Sequence, residues 1–329
     1  MTRGRGLSVL ALVCCLAVPT AARAAERYVL LISGASGSAD HAERHAKWRA
    51  MLSKTFTESM GLPADHLTVL ADRAADGAPG EDVATREAVR ATFGRYAKTL
   101  TRADVLLVVL FGHSTFDGVD AKFNLVGPDL EAADWQRLLG AVPARIVFVN
   151  TTGASAPFLQ RLAGPNRVLI TATNNPAQQY DTVFPEFFST AFNADSDLDK
   201  DGRISIWEAF AYSTQRVNEY YRQRGQLSVE HAVLDDTGDG VGKEAGQTGP
   251  DGSIASRTFF DTTDDPGKGA GPALSEMINR RNVLESEFED LKKRRSFMPP
   301  GDYEKERERV LVEIARISRE IRLEQKKRS

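Results

Sequence analysis

Cysteine is almost absent from this chain of 329 residues: only Cys14 and Cys15 occur, side by side and near the start. So few cysteines exclude a disulfide scaffold. Hydrophobic residues make up 42% of the chain and charged residues 26%, which excludes collagen and bulk disorder and is typical of a globular protein. The length suffices for one large domain or two small ones.

The two cysteines lie in an apolar run, residues 7–18, that follows two arginines and precedes Pro19. This run is too short to cross a bilayer as a helix, and Ala22-Arg23-Ala24 is a small-x-small cleavage pattern. The pattern predicts a secretory signal peptide over residues 1–24. Lipid attachment at a cysteine is the alternative, and the residue before Cys14 fits it poorly. A cleaved chain would be secreted or periplasmic, with no disulfide, thiolate metal site or thiol nucleophile.

The sequence also lacks a later transmembrane stretch and an excess of positive charge. The formal net charge is −3, and it becomes about −6 without residues 1–24, which hold three arginines and no acid. We therefore expect no membrane span in the mature chain. We also expect that nucleic acid is not the main partner, because its phosphates require a basic surface.

Strand and helix patterns alternate through the first half of the chain. Apolar, β-branched runs predict strands, and apolar residues at helical spacing predict helices. The predicted strands are residues 28–33, 67–71, 104–111, 145–149 and 167–172, and the helices are 40–60, 84–100, 129–140 and 156–163. This order indicates an α/β fold with a mostly parallel sheet and helices on both faces. The ligand site of such a sheet lies beyond the carboxyl ends of its strands.

The character of the sequence changes after residue 190. A helix is predicted over residues 206–223, and residues 236–273 form a Gly/Asp-rich segment that predicts an irregular loop. Residues 274–329 hold two charged stretches with apolar positions at 3–4 spacing, separated by two prolines and a glycine. They predict an antiparallel helical hairpin with a coiled-coil-like seam. The hairpin is either packed on the body of the protein or an arm that binds a partner.

Residues 197–208 fit the twelve-residue, EF-hand-like calcium loop. The acids at positions 1, 3 and 5, the glycine at 6 and the glutamate at 12 are Asp197, Asp199, Asp201, Gly202 and Glu208. Arg203 at position 7 would offer its backbone carbonyl. The alternative is an Asp-rich turn that caps the following helix. A second acidic stretch, residues 235–240, lacks a closing glutamate and is more typical of a structural loop than of a metal site.

Three motifs follow successive predicted strands: Gly112-His113, Asn150-Thr151-Thr152 and residues 171–176. Their order across residues 25–235 resembles the caspase-like fold, and within it the legumain (asparaginyl endopeptidase) family. The resemblance implies a cysteine peptidase with a His–Cys dyad in which His113 is the histidine. Thr152 stands where the cysteine is expected. Arg44 resembles an arginine that reads the substrate side chain in legumains.

A threonine hydroxyl, unlike a thiol, does not lose its proton near neutral pH. The replacement therefore favours a non-catalytic pseudo-peptidase that binds a protein or peptide partner. One alternative is an active hydrolase in which His113 activates Thr152 or Ser155. A second is a calcium-dependent interaction module that works through the hairpin. The remaining histidines, namely His41, His45, His66 and His231, show no metal-ligand spacing, and we expect surface positions for them.

Overall fold

The computed structural model describes residues 25–73, 81–261 and 298–326, and eight single positions between 277 and 295. The signal peptide predicted over residues 1–24 lies outside the described residues, as do residues 262–276 of the predicted loop and hairpin. Among the helices of the described part of the chain, none is both long and apolar enough to cross a bilayer.

A seven-stranded sheet lies at the centre of the molecule, and a small three-stranded sheet lies beside it. The ten strands are β1 (Arg27–Ser33), β2 (Leu67–Ala71), β3 (Glu81–Val83), β4 (Val105–Phe111), β5 (Ser114–Phe116), β6 (Ala121–Phe123), β7 (Leu130–Glu131), β8 (Arg145–Asn150), β9 (Arg167–Thr171) and β10 (Val233–Asp235). The central sheet has the order β10-β9-β8-β4-β1-β2-β3, and only the β9–β10 pair is antiparallel. The predicted mostly parallel α/β sheet is confirmed.

Helices cover both faces of the central sheet, as predicted. They are α1 (Ala39–Lys54), α2 (Arg86–Thr99), α3 (Ala132–Ala141), α4 (Ala156–Leu162), α5 (Phe184–Phe188) and α6 (Ile206–Gln223). A further helix, α7 (Pro300–Lys326), belongs to the C-terminal segment. One core contains Trp48, Phe188 and Phe210 from α1, α5 and α6. The other contains Phe93 and Trp135 from α2 and α3 together with side chains of α4. Alternate residues of β1 enter opposite cores because side chains of a strand point to opposite faces.

Several elements differ from the predicted ones because they are short or irregular. The helix predicted over residues 40–60 leaves α-helical geometry after Lys54 and continues as a π-helical turn, Thr55–Ser59. β3, β10 and the small sheet of β5, β6 and β7 were not predicted. Each of these strands has two or three residues, which is too short for an alternating pattern to emerge from the sequence.

The described residues of the C-terminal segment agree with an apolar helical seam. The single described positions from Met277 to Leu291 are helical, and α7 begins at Pro300, where the missing N–H of proline costs nothing. Leu284 packs in a separate small core with residues of α7, namely Val310, Ile314, Ile317 and Ile321. The segment contacts the main body through Arg281, whose guanidinium lies 3.0 Å from Asp201 Oδ2.

Candidate functional site at the carboxyl edge of the sheet

The turns after β1 and β4 meet at the carboxyl edge of the central sheet. Gly112 adopts a φ of +138°, a conformation open to glycine. A Cβ on Gly34 would lie 2.1 Å from the carbonyl oxygen of Asn124, so only glycine fits there. Gly34 N donates to the carbonyl of Phe111 at 2.9 Å. This close approach brings His113 to the edge at which the sequence predicted it.

His113 contacts the loop before α1 and an aspartate from a distant loop. Its Nε2 lies 3.2 Å from the carbonyl oxygen of Ser36, and its Nδ1 lies 3.5 Å from Asp181 Oδ1. Its ring also lies 4.7 Å from the ring of His41, edge to face. Both ring nitrogens therefore face groups other than Thr152 or Ser155.

Thr152 follows β8 as predicted, and only 1% of its surface is exposed. Its Oγ1 lies 2.7 Å from Asn150 Oδ1, an oxygen that can only accept, and 2.6 Å from the hydroxyl of Ser114. The Thr152 hydroxyl is therefore the donor towards Asn150 Oδ1 and the Ser114 hydroxyl, which share its single proton. The hydroxyl is satisfied without His113.

Ser155 is fully buried, and its hydroxyl pairs with that of Thr173 at 3.0 Å. The backbone N–H of Thr173 also donates to Ser155 Oγ at 3.2 Å. Like Thr152, Ser155 makes its hydrogen bonds inside the protein and none of them is with His113. The structure therefore places both candidate nucleophiles near their predicted strand end, but it does not bring either into a dyad.

Residues 177–182, which we call the covering loop, pack over the turn that contains Thr152. Ala154 N donates to the carbonyl of Gln178 at 2.7 Å, and Thr182 Oγ1 donates to the carbonyl of Thr151 at 2.5 Å. A Cβ on Gly153 would lie 2.4 Å from the carbonyl oxygen of Tyr180, which shows how closely the loop approaches. The covering loop leaves little room for a substrate carbonyl beside Thr152.

The exposed side of this edge is polar and charged. Arg44, the predicted substrate-reading residue, has Nη2 3.3 Å from Asp181 Oδ2 and a side chain that is half-exposed. His41 Nε2 lies 2.7 Å from the same carboxylate oxygen. Against the effect of its partial burial, the hydrogen bond from His41 and the charges of His41 and His113 lower the pKa of Asp181. Asp181 is therefore ionised at neutral pH.

The expectation of a surface position was wrong for His45, whereas the side chain of His41 is 25% exposed on α1. Both lie on α1 four residues apart, and α1 turns them towards His113. His45 is only 3% exposed. Burial, followed by the charges of His113 and His41, lowers its pKa to about 4, so it is neutral near pH 7. The i,i+4 spacing was the sequence signal for this pair, whereas nothing in the sequence marked Asp181.

The predicted calcium loop has three of its acidic side chains together. Single carboxylate oxygens of Asp197, Asp199 and Glu208 all lie within 4.8 Å of one another. Burial and the charges of Asp201 and Glu208 raise the pKa of Asp199 to about 6, which reflects crowding of negative charge. Glu208 also closes the loop onto α6, because Ser205 N donates to its Oε2 at 2.8 Å.

The other two predicted ligands are engaged differently. Asp201 Oδ2 lies 3.0 Å from the Arg281 guanidinium, and Asp201 is outside the cluster of three acids. The side chain of Arg203 pairs with Asp261, so that only its backbone carbonyl remains for a cation. The loop pattern predicted the acidic residues, but nothing in it indicated that Arg281, eighty residues further on, would pair with Asp201.

The second acidic stretch, residues 235–240, has its buried carboxylates directed to backbone N–H groups. Asp235 accepts from Gly238 N and Gly240 N at 2.8 and 2.9 Å, and Asp236 accepts from Gly252 N at 2.9 Å. These bonds hold an irregular chain segment in place. The interpretation as a structural loop therefore fits the geometry better than a metal site.

Comparison with known proteins identifies no family for this chain. No family model matches the chain, and no curated protein matches it. Among solved structures it is similar to protein GSU0716 from Geobacter sulfurreducens, with a TM-score of 0.40 and 15% sequence identity, over 64% of this chain and 92% of that one. At this level the match identifies neither a family nor an activity, and function has to be argued from the geometry of the site.

Proposed function

We propose that this chain is an exported, non-catalytic protein related to the caspase-like, legumain-type peptidases, which acts by binding a protein or peptide partner. The observation that carries the proposal is the state of Thr152. Its hydroxyl is buried and hydrogen-bonded to Asn150 and Ser114, whereas His113 faces Asp181. His113 and Thr152 follow adjacent parallel strands, which supports the proposal, and they do not form a dyad.

A working hydroxyl nucleophile needs a base within hydrogen-bonding reach and an open approach for the substrate carbonyl. His113 Nε2 contacts the carbonyl of Ser36 rather than Thr152. The covering loop packs against the turn that contains Thr152, through the hydrogen bond from Thr182 to Thr151. The hydroxyl of Ser155 is paired with Thr173 and equally buried. Both requirements are therefore unmet for the alternative in which this chain is an active hydrolase.

The exposed groups at the same edge suit the recognition of a peptide. Tyr180 of the covering loop is 77% exposed and offers an aromatic face. Arg44 and Asp181 beside it offer opposite charges on half-exposed side chains. Tyrosine and arginine are enriched in protein interfaces, so these side chains support the proposed binding of a peptide.

The test is a hydrolysis assay with a panel of asparaginyl and aspartyl reporter peptides, run beside an active cysteine peptidase. We expect no turnover above background for the protein and no change in Thr152→Ala. Turnover that is abolished both by Thr152→Ala and by His113→Ala would overturn the proposal and establish the hydrolase.

We also propose that Ca²⁺ binds the loop of residues 197–208 and stabilises the fold. Ca²⁺ prefers oxygen ligands such as carboxylates. A bound cation would offset the burial and the repulsion by Asp201 and Glu208 that together raise the pKa of Asp199. Ligand binding to the folded state alone adds about 2.7 kcal/mol to the free energy of unfolding at 100 times Kd.

Thermal unfolding with and without Ca²⁺ tests this second proposal. We expect Ca²⁺ to raise the Tm of the protein and to have a much smaller effect on Asp199→Asn. The matched control is Asp239→Asn, because each of these aspartates accepts an N–H from the residue two positions on. An unchanged Tm, or an equal loss of response in both variants, would contradict it.

A calcium-dependent module that works through the C-terminal hairpin is favoured by one contact. Arg281 of that segment pairs with Asp201 of the calcium loop, and both side chains are largely buried. Cation binding at residues 197–208 would therefore change the ion pair that links this loop to the C-terminal helical segment. This candidate function is compatible with a non-catalytic domain and adds a second binding surface.

A further inference from the structure

Three groups that commonly ligate metals converge at the carboxyl edge of the sheet. One atom from each of His41, His113 and Asp181 lies within 4.8 Å of the others. His41 Nε2 is 2.7 Å from Asp181 Oδ2, and His113 Nδ1 is 3.5 Å from Asp181 Oδ1. Ligand atoms arranged tetrahedrally around Zn²⁺ at 2.0–2.1 Å lie about 3.4 Å apart. The two observed separations, which involve different oxygens of the Asp181 carboxylate, lie on either side of that value.

Each histidine has its other ring nitrogen beside an oxygen of the loop before α1. His113 Nε2 faces the carbonyl of Ser36, which can only accept, so this nitrogen carries the proton. The lone pair of neutral His113 is then on Nδ1, which faces Asp181. His41 Nδ1 lies 3.0 Å from Ser38 Oγ, and its Nε2 faces Asp181. Histidines that ligate metals are oriented in this way by an oxygen on the far side of the ring.

The electrostatics of the group also calls for a cation. When His113 Nδ1 carries no proton, this nitrogen and the Asp181 carboxylate are both acceptors, and a metal ion between them would remove their repulsion. Arg44 reaches Asp181 from the other side, and Asp72 accepts from the hydroxyl of Ser36. Behind the ligands, His45 packs with its ring 5.9 Å from that of His113.

We propose that His41, His113 and Asp181 form a binding site for one divalent transition-metal ion of the zinc type. Two imidazoles and one carboxylate favour Zn²⁺, Co²⁺ or Ni²⁺ over Ca²⁺ or Mg²⁺, which prefer oxygen ligands alone. The three side chains are 25%, 28% and 48% exposed, so the ion is reachable from solvent. With three protein ligands, a fourth position stays open for water or for a group of a bound partner.

This site does not use Thr152 or Ser155, so it stands independently of the non-catalytic proposal. It gives His113 a different task from that of a general base. Two of the three ligands lie outside the sequence motifs: His41 is on α1 and Asp181 is on the covering loop. A metal ion here would tie the covering loop to α1 and to the turn after β4.

The test is a titration of the full chain with Zn²⁺ in competition with a chromogenic chelator. Excess Ca²⁺ is present throughout to occupy the acidic loop of residues 197–208. We expect one equivalent of Zn²⁺ per chain, and at least about tenfold weaker binding for Asp181→Asn and for His113→Ala. Co²⁺ in place of Zn²⁺ should give the visible absorption of tetrahedral coordination, which these variants lose.

The matched control is His231→Ala. His231 Nδ1 lies 3.8 Å from a carboxylate oxygen of Glu244, and no third ligand joins this pair among the described residues. The variant should bind Zn²⁺ like the unaltered chain. His41→Ala serves as a second ligand variant if circular dichroism shows that Asp181→Asn is misfolded. The proposal would be overturned if Zn²⁺ showed no saturable binding, or if His41→Ala and His113→Ala bound Zn²⁺ as tightly as the unaltered chain.

Discussion

The hydroxyl of Thr152 lies among polar groups that are themselves buried. It donates towards Asn150 Oδ1 and the hydroxyl oxygen of Ser114, at 2.7 and 2.6 Å. In a buried site, each such hydrogen bond contributes about 1 kcal/mol, and an unpaired partner costs more. These hydrogen bonds give Thr152 a structural role at the position where the resemblance implies a nucleophile.

Thr152→Val tests this structural role because valine keeps the shape and removes the hydroxyl. We expect the free energy of unfolding to fall by about 1–3 kcal/mol, since Asn150 and Ser114 lose a buried partner. The matched control is Thr115→Val on an exposed strand position, for which we expect a change within about 0.5 kcal/mol. Urea unfolding measures both, and equal effects would contradict the assignment.

At the scale of single residues, the sequence was informative where a side chain directly follows a strand. His113 and Thr152 lie at the predicted edge because the carboxyl ends of parallel strands share one side of the sheet. Asp181 could not be predicted, because it arrives on a loop whose path is decided by contacts with residues 151–154. The acids of the calcium loop were predicted because their ligand spacing is local.

One buried acid, Glu230, anchors the junction between the covering loop and α5. Glu230 accepts hydrogen bonds from the N–H groups of Val183 and Phe184 at 2.8 and 3.1 Å, and from the hydroxyl of Tyr221 at 3.0 Å. These bonds satisfy the start of α5, which directly follows the covering loop. Nevertheless, burial raises the pKa of Glu230 above its usual value.

Glu230 should therefore make stability depend on pH. Its pKa is higher in the folded than in the unfolded state, so its contribution is complete below the unfolded value near 4.5 and is lost as pH rises through the folded pKa. In Glu230→Gln this loss is removed, so the free energy of unfolding of the unaltered chain relative to the variant should fall as pH rises. Urea unfolding from pH 4 to pH 8 measures it, and a constant difference would contradict the account.

The contact between the calcium loop and the C-terminal segment predicts an effect on affinity. The Arg281 guanidinium lies 3.0 Å from Asp201 Oδ2, so its positive charge opposes a cation in the loop. We expect Arg281→Gln to raise the affinity for Ca²⁺ at least about threefold. Arg280→Gln is the control, because this exposed arginine pairs with Glu313 instead. Calcium titrations that show no difference between the two variants would contradict this.

At the scale of the whole molecule, the alternation of strand and helix patterns was sufficient to predict the α/β class and helices on both faces of the sheet. The parallel order follows from that alternation, since each parallel pair needs a crossover. The antiparallel β10 could not be predicted, because its pairing with β9 joins residues more than sixty positions apart in a three-residue strand. The seam of the C-terminal segment was predicted because its apolar spacing is local.

The central claim is that the nucleophile position of this fold is closed. The most direct test is the alkylation of Thr152→Cys in the chain without residues 1–24, where it is the only cysteine. Because Thr152 is 1% exposed, we expect alkylation by iodoacetamide at least about 1000-fold slower in the folded than in the unfolded chain. Thr115→Cys, at an exposed position, should react rapidly in both states. Alkylation of folded Thr152→Cys as fast as that of Thr115→Cys, and slowed by His113→Ala, would contradict the account.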